Sequence, residues 1–337
     1  MPLRLAFAGF RHGHILSLYG LAKSHPGVTV VAACEEHAPS RVELETAGKV
    51  QFTHATYDEM FASEFDAVAV GDYYGRRGEI ILRSLRAGKH VIADKPVCTS
   101  LKELDAIAKL LGQEHLCLGC QLSLRGDRNF LALRELIRSG RLGDIHTVNF
   151  TGQHPLYFGQ RPVWYFEPGK HGGTINDIGI HGIDAIGWLT GRKVVSIVSA
   201  RAWNARLEQA EQFQDAAQFM LKLDNKGGVL ADVSYLAPDS VGYQAPQYWR
   251  YTVHGTNGMA EANLASEGVT YATNESDQMQ HLPPAQPTPS SYLDSFLAEI
   301  AGQTEGLTLT TQEVLESSRV TLLAQHAADA HMHDLKV

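Results

Sequence analysis

The sequence predicts an α/β protein of two domains. A doubly wound parallel sheet of nucleotide-binding type is expected over residues 1–122, and a C-terminal α/β domain with a large, mostly antiparallel open sheet over 123–337. Three observations carry this. The 337 residues exceed one ordinary core. The first third alternates helices with continuous apolar runs, as strands covered on both faces require. Later strands alternate polar and apolar residues, as a sheet with one solvated or partner-covered face requires.

In the first domain the apolar run Leu3–Ala8 ends at Gly9, and Ile15–Lys23 has helical spacing before Pro26-Gly27. Val28–Cys34 is β-branched and ends in Glu35-Glu36. A short helix at Tyr57–Ser63 precedes the strand Asp66–Val70. The helix Glu79–Ala87 is closed by Gly88, a suitable C-cap. His90–Ala93 and Cys117–Leu122 are strands flanking the helix Leu101–Leu111. This is read as six strand–helix units in about 120 residues. The second domain opens with the helix Arg128–Ser139. Strands follow at Ile145–Thr151, Val194–Ala202, Ala217–Leu223, Gly228–Tyr235, Tyr251–Gly255 and Gly268–Tyr271. Asp224-Asn225 and Thr256-Asn257-Gly258 are turn signals between them. Gln280–Ser291, rich in proline and polar residues, reads as a linker before helices at Tyr292–Ala301 and Thr311–Ala330.

The composition is globular, with 44% hydrophobic and 20% charged residues. A net charge of −8 argues against nucleic acid and anionic membrane as partners. No apolar run reaches the roughly 20 residues that span a bilayer, and the N-terminal apolar stretch is too short for a signal peptide. Four cysteines do not suggest a disulfide scaffold. Cys117 and Cys120 form a CxxC without a second pair at zinc spacing, and read as core cysteines. The expected compartment is the cytoplasm, and no metal is expected.

Gly9-Phe10-Arg11-His12-Gly13-His14 joins the first strand to a helix, where backbone N–H groups can hold a pyrophosphate. The spacing departs from G-x-G-x-x-G: Arg11 stands at the second glycine, and Gly13 lies one residue before the third. Glu35, at the end of the second strand, could accept both adenosine ribose hydroxyls, and with Glu36 would repel a 2′-phosphate. Arg41 is the nearest following arginine, so NAD is favoured over NADP. A solvated strand end is the competing reading of the two glutamates. His12 and His14 also match the HxH that opens metal-dependent hydrolase barrels, but the barrel pattern is missing. The favoured reading leaves both on a surface turn near the cofactor.

Lys95 follows a strand in Ala93-Asp94-Lys95-Pro96, and Pro96 denies the chain a helix there. A lysine at the carboxyl end of a parallel strand points into the ligand crevice; a plain surface lysine is the alternative. Asp177, His181 and Asp184 are spaced i, i+4, i+7 and would share one helical face. His181 suits a general base near neutral pH, with Asp177 orienting its ring. The competing reading is a capping acid and a core histidine.

The stretch from Ala87 to Pro96 resembles the AGKHV…EKP motif of the Gfo/Idh/MocA family, the glucose–fructose oxidoreductase and inositol dehydrogenase group. Gly172-Gly173…Asp177-x-Gly179-x-His181-x-x-Asp184 is similar to its GGG…DxGxHxxD, and Ile137–Ile145 to its I-x-x-G-x-I-G-x-I. The resemblance implies a Rossmann domain, an open sheet serving as oligomer interface in a homodimer or homotetramer, and a final helix at about 311–330 returning towards the nucleotide domain. It implies reversible oxidation of a sugar, cyclitol or related polyol. Lys95 would serve substrate and nicotinamide, His181 would be the base, and Asp177 its neighbour. Asp72, Tyr73 and Asp94 join the cofactor contacts. Asp72–Arg77 replaces the family's T-P-N-x-x-H, Asp94 its usual glutamate, and Arg11 becomes a candidate phosphate ligand. Arg125, Tyr157, Trp164 and Asp184 are candidate substrate contacts, with Tyr165 and Tyr248-Trp249 as further stacking faces; plain core is the commoner role for each of these aromatic residues. An NAD-dependent glycosidase, or a non-enzymatic NAD or sugar sensor, would fit the same fold.

Overall fold

The computed structural model describes residues 1–287 and 291–337. In chain order the first elements are β1 (Leu3–Ala8), α1 (His14–Ser24), β2 (Val28–Cys34), α2 (Ala38–Thr46), α3 (Tyr57–Phe61), β3 (Ala67–Val70), α4 (Tyr74–Arg86), β4 (His90–Ala93), α5 (Leu101–Glu114) and β5 (Leu118–Cys120). There follow α6 (Arg128–Arg138), β6 (Ile145–Pro155), α7 (Ile180–Thr190), β7 (Val194–Trp203), β8 (Ala216–Leu223), β9 (Gly228–Ala237), β10 (Arg250–Gly255), β11 (Gly258–Asn263), β12 (Val269–Thr273) and β13 (Gln280–Leu282). The chain ends with α8 (Tyr292–Ile300), α9 (Thr311–Asp329) and β14 (His333–Lys336).

These elements form two compact units. The first comprises Met1–Gln121, Pro162–Gly172 and Ser290–Leu315. Its sheet has five strands in the order β2-β1-β3-β4-β5, all parallel, so the expected count of six units is corrected to five. Leu5, Phe7, Ala69 and Ile92 on the strands pack with Ile15 and Leu18 of α1 and with Leu293 and Phe296 of α8. The continuous apolar runs are thus explained by burial on both faces.

The second unit comprises Leu122–Arg161, Gly173–Pro289 and Glu316–Val337. Its nine strands run β13-β12-β11-β10-β6-β9-β8-β7-β14, antiparallel except for β6 beside β9. On β8 buried and exposed residues alternate from Ala217 to Leu223, the period-two signal of a one-sided sheet.

The first unit's opening segment ends at Gln121, and residues 162–172 rejoin that unit. The returning helix is mainly α8; only the first turn of α9 belongs to the first unit and the rest to the second. β13 lies in the stretch read as a linker, whose residues 288–290 fall outside the described residues. β13 pairs with β12 through its main chain, so side-chain composition misled there.

Candidate active site

In the first unit, the turn after β1 needs glycine at one place. Gly9 has φ +84°, and a Cβ there would lie 2.7 Å from the Asp72 backbone. Gly13 has φ −61° at the N-cap of α1, with open space where a Cβ would stand. The N–H groups of Arg11 and His12 donate to the Gly71 carbonyl at 3.0 and 3.4 Å, and that of Phe10 to Glu35 Oε2 at 2.6 Å. These three are therefore spent within the protein. Those of Gly13 and His14 lie at the start of the helix, among the donors that helix geometry leaves for a ligand. The Phe10 ring is buried with Phe7, Tyr19 and Phe52. The ring contributes to the core.

Glu35 is buried at the end of β2 and also accepts the His37 N–H at 2.8 Å. Burial pushes its carboxyl up to about 7, against the pull of the two N–H donors. A solvated strand end is thereby excluded for Glu35. Glu36 accepts the Tyr57 N–H at 2.8 Å and Arg76 Nη2 at 2.6 Å. Arg76 is the arginine the sequence reading missed, since 40 residues separate it from Glu36. Asp72 is buried and accepts from the Tyr57 hydroxyl at 2.7 Å, from the Tyr73 N–H at 2.7 Å and from Arg76 at 3.3 Å. The Arg11 guanidinium stands 5.8 Å from the Tyr73 ring centre.

Beyond β4, Asp94 and Lys95 are both buried, and the Lys95–Pro96 bond is cis. A plain surface lysine is thus excluded. Its ammonium stands 5.8 Å from the centre of the Tyr74 ring. Arg77, fully buried, donates to the carbonyls of Asp72, Asp94, Lys95 and Pro96 at 2.7, 2.9, 2.5 and 3.1 Å. It also donates to Asp94 Oδ2 at 2.8 Å. His12 Nδ1 lies 2.5 Å from the same oxygen. Burial opposes charge on Asp94, but Arg77 and His12 together hold its carboxyl well below the usual range. Burial pushes His12 down to about 3, with Asp94 opposing. His12 is therefore not on a surface turn, whereas His14 is exposed. Trp164 also belongs to this unit. Its ring is buried against Tyr74 and Tyr165, and Nε1 donates to the Arg11 carbonyl at 3.1 Å, so it offers no open face to a sugar.

Gly172, the last residue of the first unit's returning segment, and Gly173, which opens the next stretch of the second unit, have φ of +80° and +93°, which explains the paired glycines. A Cβ on Gly173 would collide with Gln325, whose Oε1 accepts the N–H groups of Ile175 and Asn176 at 3.0 and 3.4 Å. Ile175–Gly179 is a π-helical turn leading into α7. The expected single α-helical face for Asp177, His181 and Asp184 is corrected accordingly, because the wider turn shifts the register between them. The three have separate partners. Asp177 accepts from the Tyr235 hydroxyl. The His181 ring lies 5.4 Å from that of Trp249, edge to face. Asp184 forms a bidentate pair with Arg125 at 2.8 and 2.7 Å and accepts from Ser317 at 3.0 Å. Arg125 and Asp184 are buried and hold each other, so their expected place at a substrate is corrected to an internal ion pair. Tyr157 is partly exposed at φ +49°, 6.1 Å from Tyr243. Tyr243 continues through Tyr248 to Trp249, with His154 packed among them. Tyr235 and His154 were missed, because neither stands near a motif.

The first unit thus gathers Gly9–His14, Glu35, Asp72, Tyr73, Asp94 and Lys95, and the second gathers Asp177, His181, Arg125, Asp184 and Tyr157. Two family models match the chain. Residues 3–121 match the oxidoreductase family with NAD-binding Rossmann fold, and 130–261 the GFO/IDH/MocA C-terminal domain. Inositol 2-dehydrogenase of Rhizobium meliloti is 27% identical over 64% of this chain and 62% of its own length. The scyllo-inositol 2-dehydrogenase (NADP(+)) of Bacillus subtilis is 28% identical over 54% of this chain and 47% of its own. The chain therefore spans less than two thirds of either relative. A crystal structure of an NAD-binding protein from Listeria innocua superposes with a TM-score of 0.80 at 20% identity, covering 99% of this chain and 97% of that one.

Proposed function

The chain belongs to the Gfo/Idh/MocA family of oxidoreductases, and from that premise we propose that it is an NAD-dependent dehydrogenase acting on a secondary hydroxyl of a sugar, cyclitol or related polyol. The observation that carries the reading is the buried Asp94-Lys95-Pro96 loop, held by Arg77 at the carboxyl end of β4 in the same unit as the Gly9 turn. The residues fit a dinucleotide: Gly9 lets the turn after β1 pack against Asp72, Gly13 leaves open space beside the N–H groups opening α1, which suit a pyrophosphate, and Glu35 stands where a ribose would be read. Bound there, the nicotinamide supplies the hydride acceptor.

Lys95 donates a hydrogen bond to the substrate oxygen and stabilises negative charge on it. His181 takes the hydroxyl proton on an imidazole nitrogen, and Asp177 meets a neighbouring hydroxyl while Tyr235 fixes its carboxylate. NAD is preferred to NADP because Glu35 and Glu36 repel a 2′-phosphate, and Arg76 is already paired with Glu36 and Asp72. The NADP-linked name of the Bacillus relative makes that preference worth measuring. We further propose that copies associate through the exposed face of the nine-stranded sheet.

A sugar and cyclitol panel followed at the NADH absorbance tests this for wild type, Lys95→Ala and His181→Ala. At least one polyol yields NADH, and each substitution lowers kcat by roughly 10²–10⁴. Glycoside cleavage, or binding with no NADH from any polyol, would sink the proposal.

A further inference from the structure

We propose that His12, His14 and Asp94 form a binding site for one divalent transition-metal ion of the Zn²⁺ or Co²⁺ kind. All three belong to the first unit, and their ligand atoms lie within 4.8 Å of one another. His12 Nδ1 is 2.5 Å from Asp94 Oδ2, His14 Nδ1 is 3.5 Å from Asp94 Oδ1, and the two imidazole rings are 4.3 Å apart. A second observation points to a ligand. Asp94 is 0% exposed, and among the described residues its Oδ1 has no hydrogen-bond partner, only the longer 3.5 Å contact to His14. A buried carboxylate oxygen left in that state is costly, and a cation shared with His14 would satisfy it.

Two imidazoles and one carboxylate suit a borderline ion, whereas Mg²⁺ and Ca²⁺ prefer all-oxygen sets. Three protein ligands leave a fourth position for water or another oxygen donor. Tetrahedral bonds to zinc place ligand atoms about 3.3 Å apart. His14 and Asp94 are already near that spacing, and the His12–Asp94 pair must open by under about 1 Å. Arg77 orients the carboxylate from Oδ2, as outer partners of metal ligands commonly do. Its positive charge also weakens the site relative to one with a free acid. His14 is exposed, which gives the ion a path in.

The test uses the full chain, stripped with EDTA and free of nucleotide, titrated with Co²⁺ alone. One Co²⁺ per chain is expected, measured by elemental analysis after gel filtration, with the visible absorption of a four-coordinate ion. His14→Ala, at an exposed position that leaves folding intact, weakens binding about tenfold or more. His12→Ala does the same, and His326→Ala, at an exposed histidine of α9, changes nothing. Absence of stoichiometric binding, or the same isotherm in His14→Ala, overturns the proposal and leaves a hydrogen-bonded His12–Asp94 pair only. NAD titrated separately keeps the two readings apart: NAD binding without Co²⁺ binding overturns the metal site alone, and the reverse overturns the dinucleotide reading alone.

Discussion

With Glu35 as the ribose reader proposed above, cofactor recognition is coupled to proton concentration. Its carboxyl is raised to about 7, so near neutral pH the folded, nucleotide-free protein holds it half protonated. Only the ionised form accepts two ribose hydroxyls. Raising pH through 7 therefore tightens NAD binding, and lowering it weakens binding. Between pH 6 and 8 the ionised fraction changes about tenfold, and Kd should follow by calorimetry. Glu35→Gln flattens that dependence; a profile that stays as steep in the variant rejects Glu35 as the titrating group. Gly9, Glu35 and Lys95 stand out in the sequence because each lies where a strand run stops, and strand ends are where ligands meet such sheets. Arg76 and Arg77 were not, since their worth lies in carboxylates and carbonyls 17 to 40 residues away. Trp164 takes the plain-core reading instead of the stacking one, because an aromatic ring looks alike in sequence whether it stacks on a sugar or fills a core. The roles given to Lys95, Asp177 and His181 rest on the family motifs, not on spacing.

Among the elements, α4 has the largest local consequence. It begins at Tyr74, earlier than the apolar spacing from Glu79 suggested, because its first turn carries Arg76 and Arg77 inward. Arg77 ties the end of β3 to the loop after β4. Arg77→Met leaves the buried Asp94 carboxylate and three loop carbonyls without that donor, at a cost of roughly 3–5 kcal/mol. Chemical denaturation measures it, and a loss under about 1 kcal/mol would deny Arg77 this role. Strands with continuous branched runs were read almost to the residue. α2 was missed because only Leu44 of it is buried, leaving no apolar stripe; Pro39 and the His37 cap start it instead. β11 was missed for a related reason: its inward residues are Ala260 and Ala262, and alanine is a poor strand signal. The π turn before α7 has no signature of its own in sequence.

At the scale of the whole molecule, the outward face of the nine-stranded sheet carries exposed apolar side chains among polar ones such as Gln218 and Lys222. Met220 and Leu230 sit opposite each other on β8 and β9, at 42% and 56% exposure. If copies meet there, Met220→Glu with Leu230→Glu yields monomers by light scattering, while the fold loses no more than about 1 kcal/mol in melting. An unchanged mass removes this face as the interface. The two-domain division was legible from the change in strand character near residue 122, but the later returns of the chain were not, since residues 162–172 carry no strand of the first sheet. Those returns bear on descent. A gene fusion that joined or exchanged the nucleotide-binding half at residue 121 would carry away β1 to β5 and leave α8 behind, with Leu293 and Phe296 missing from the core they complete.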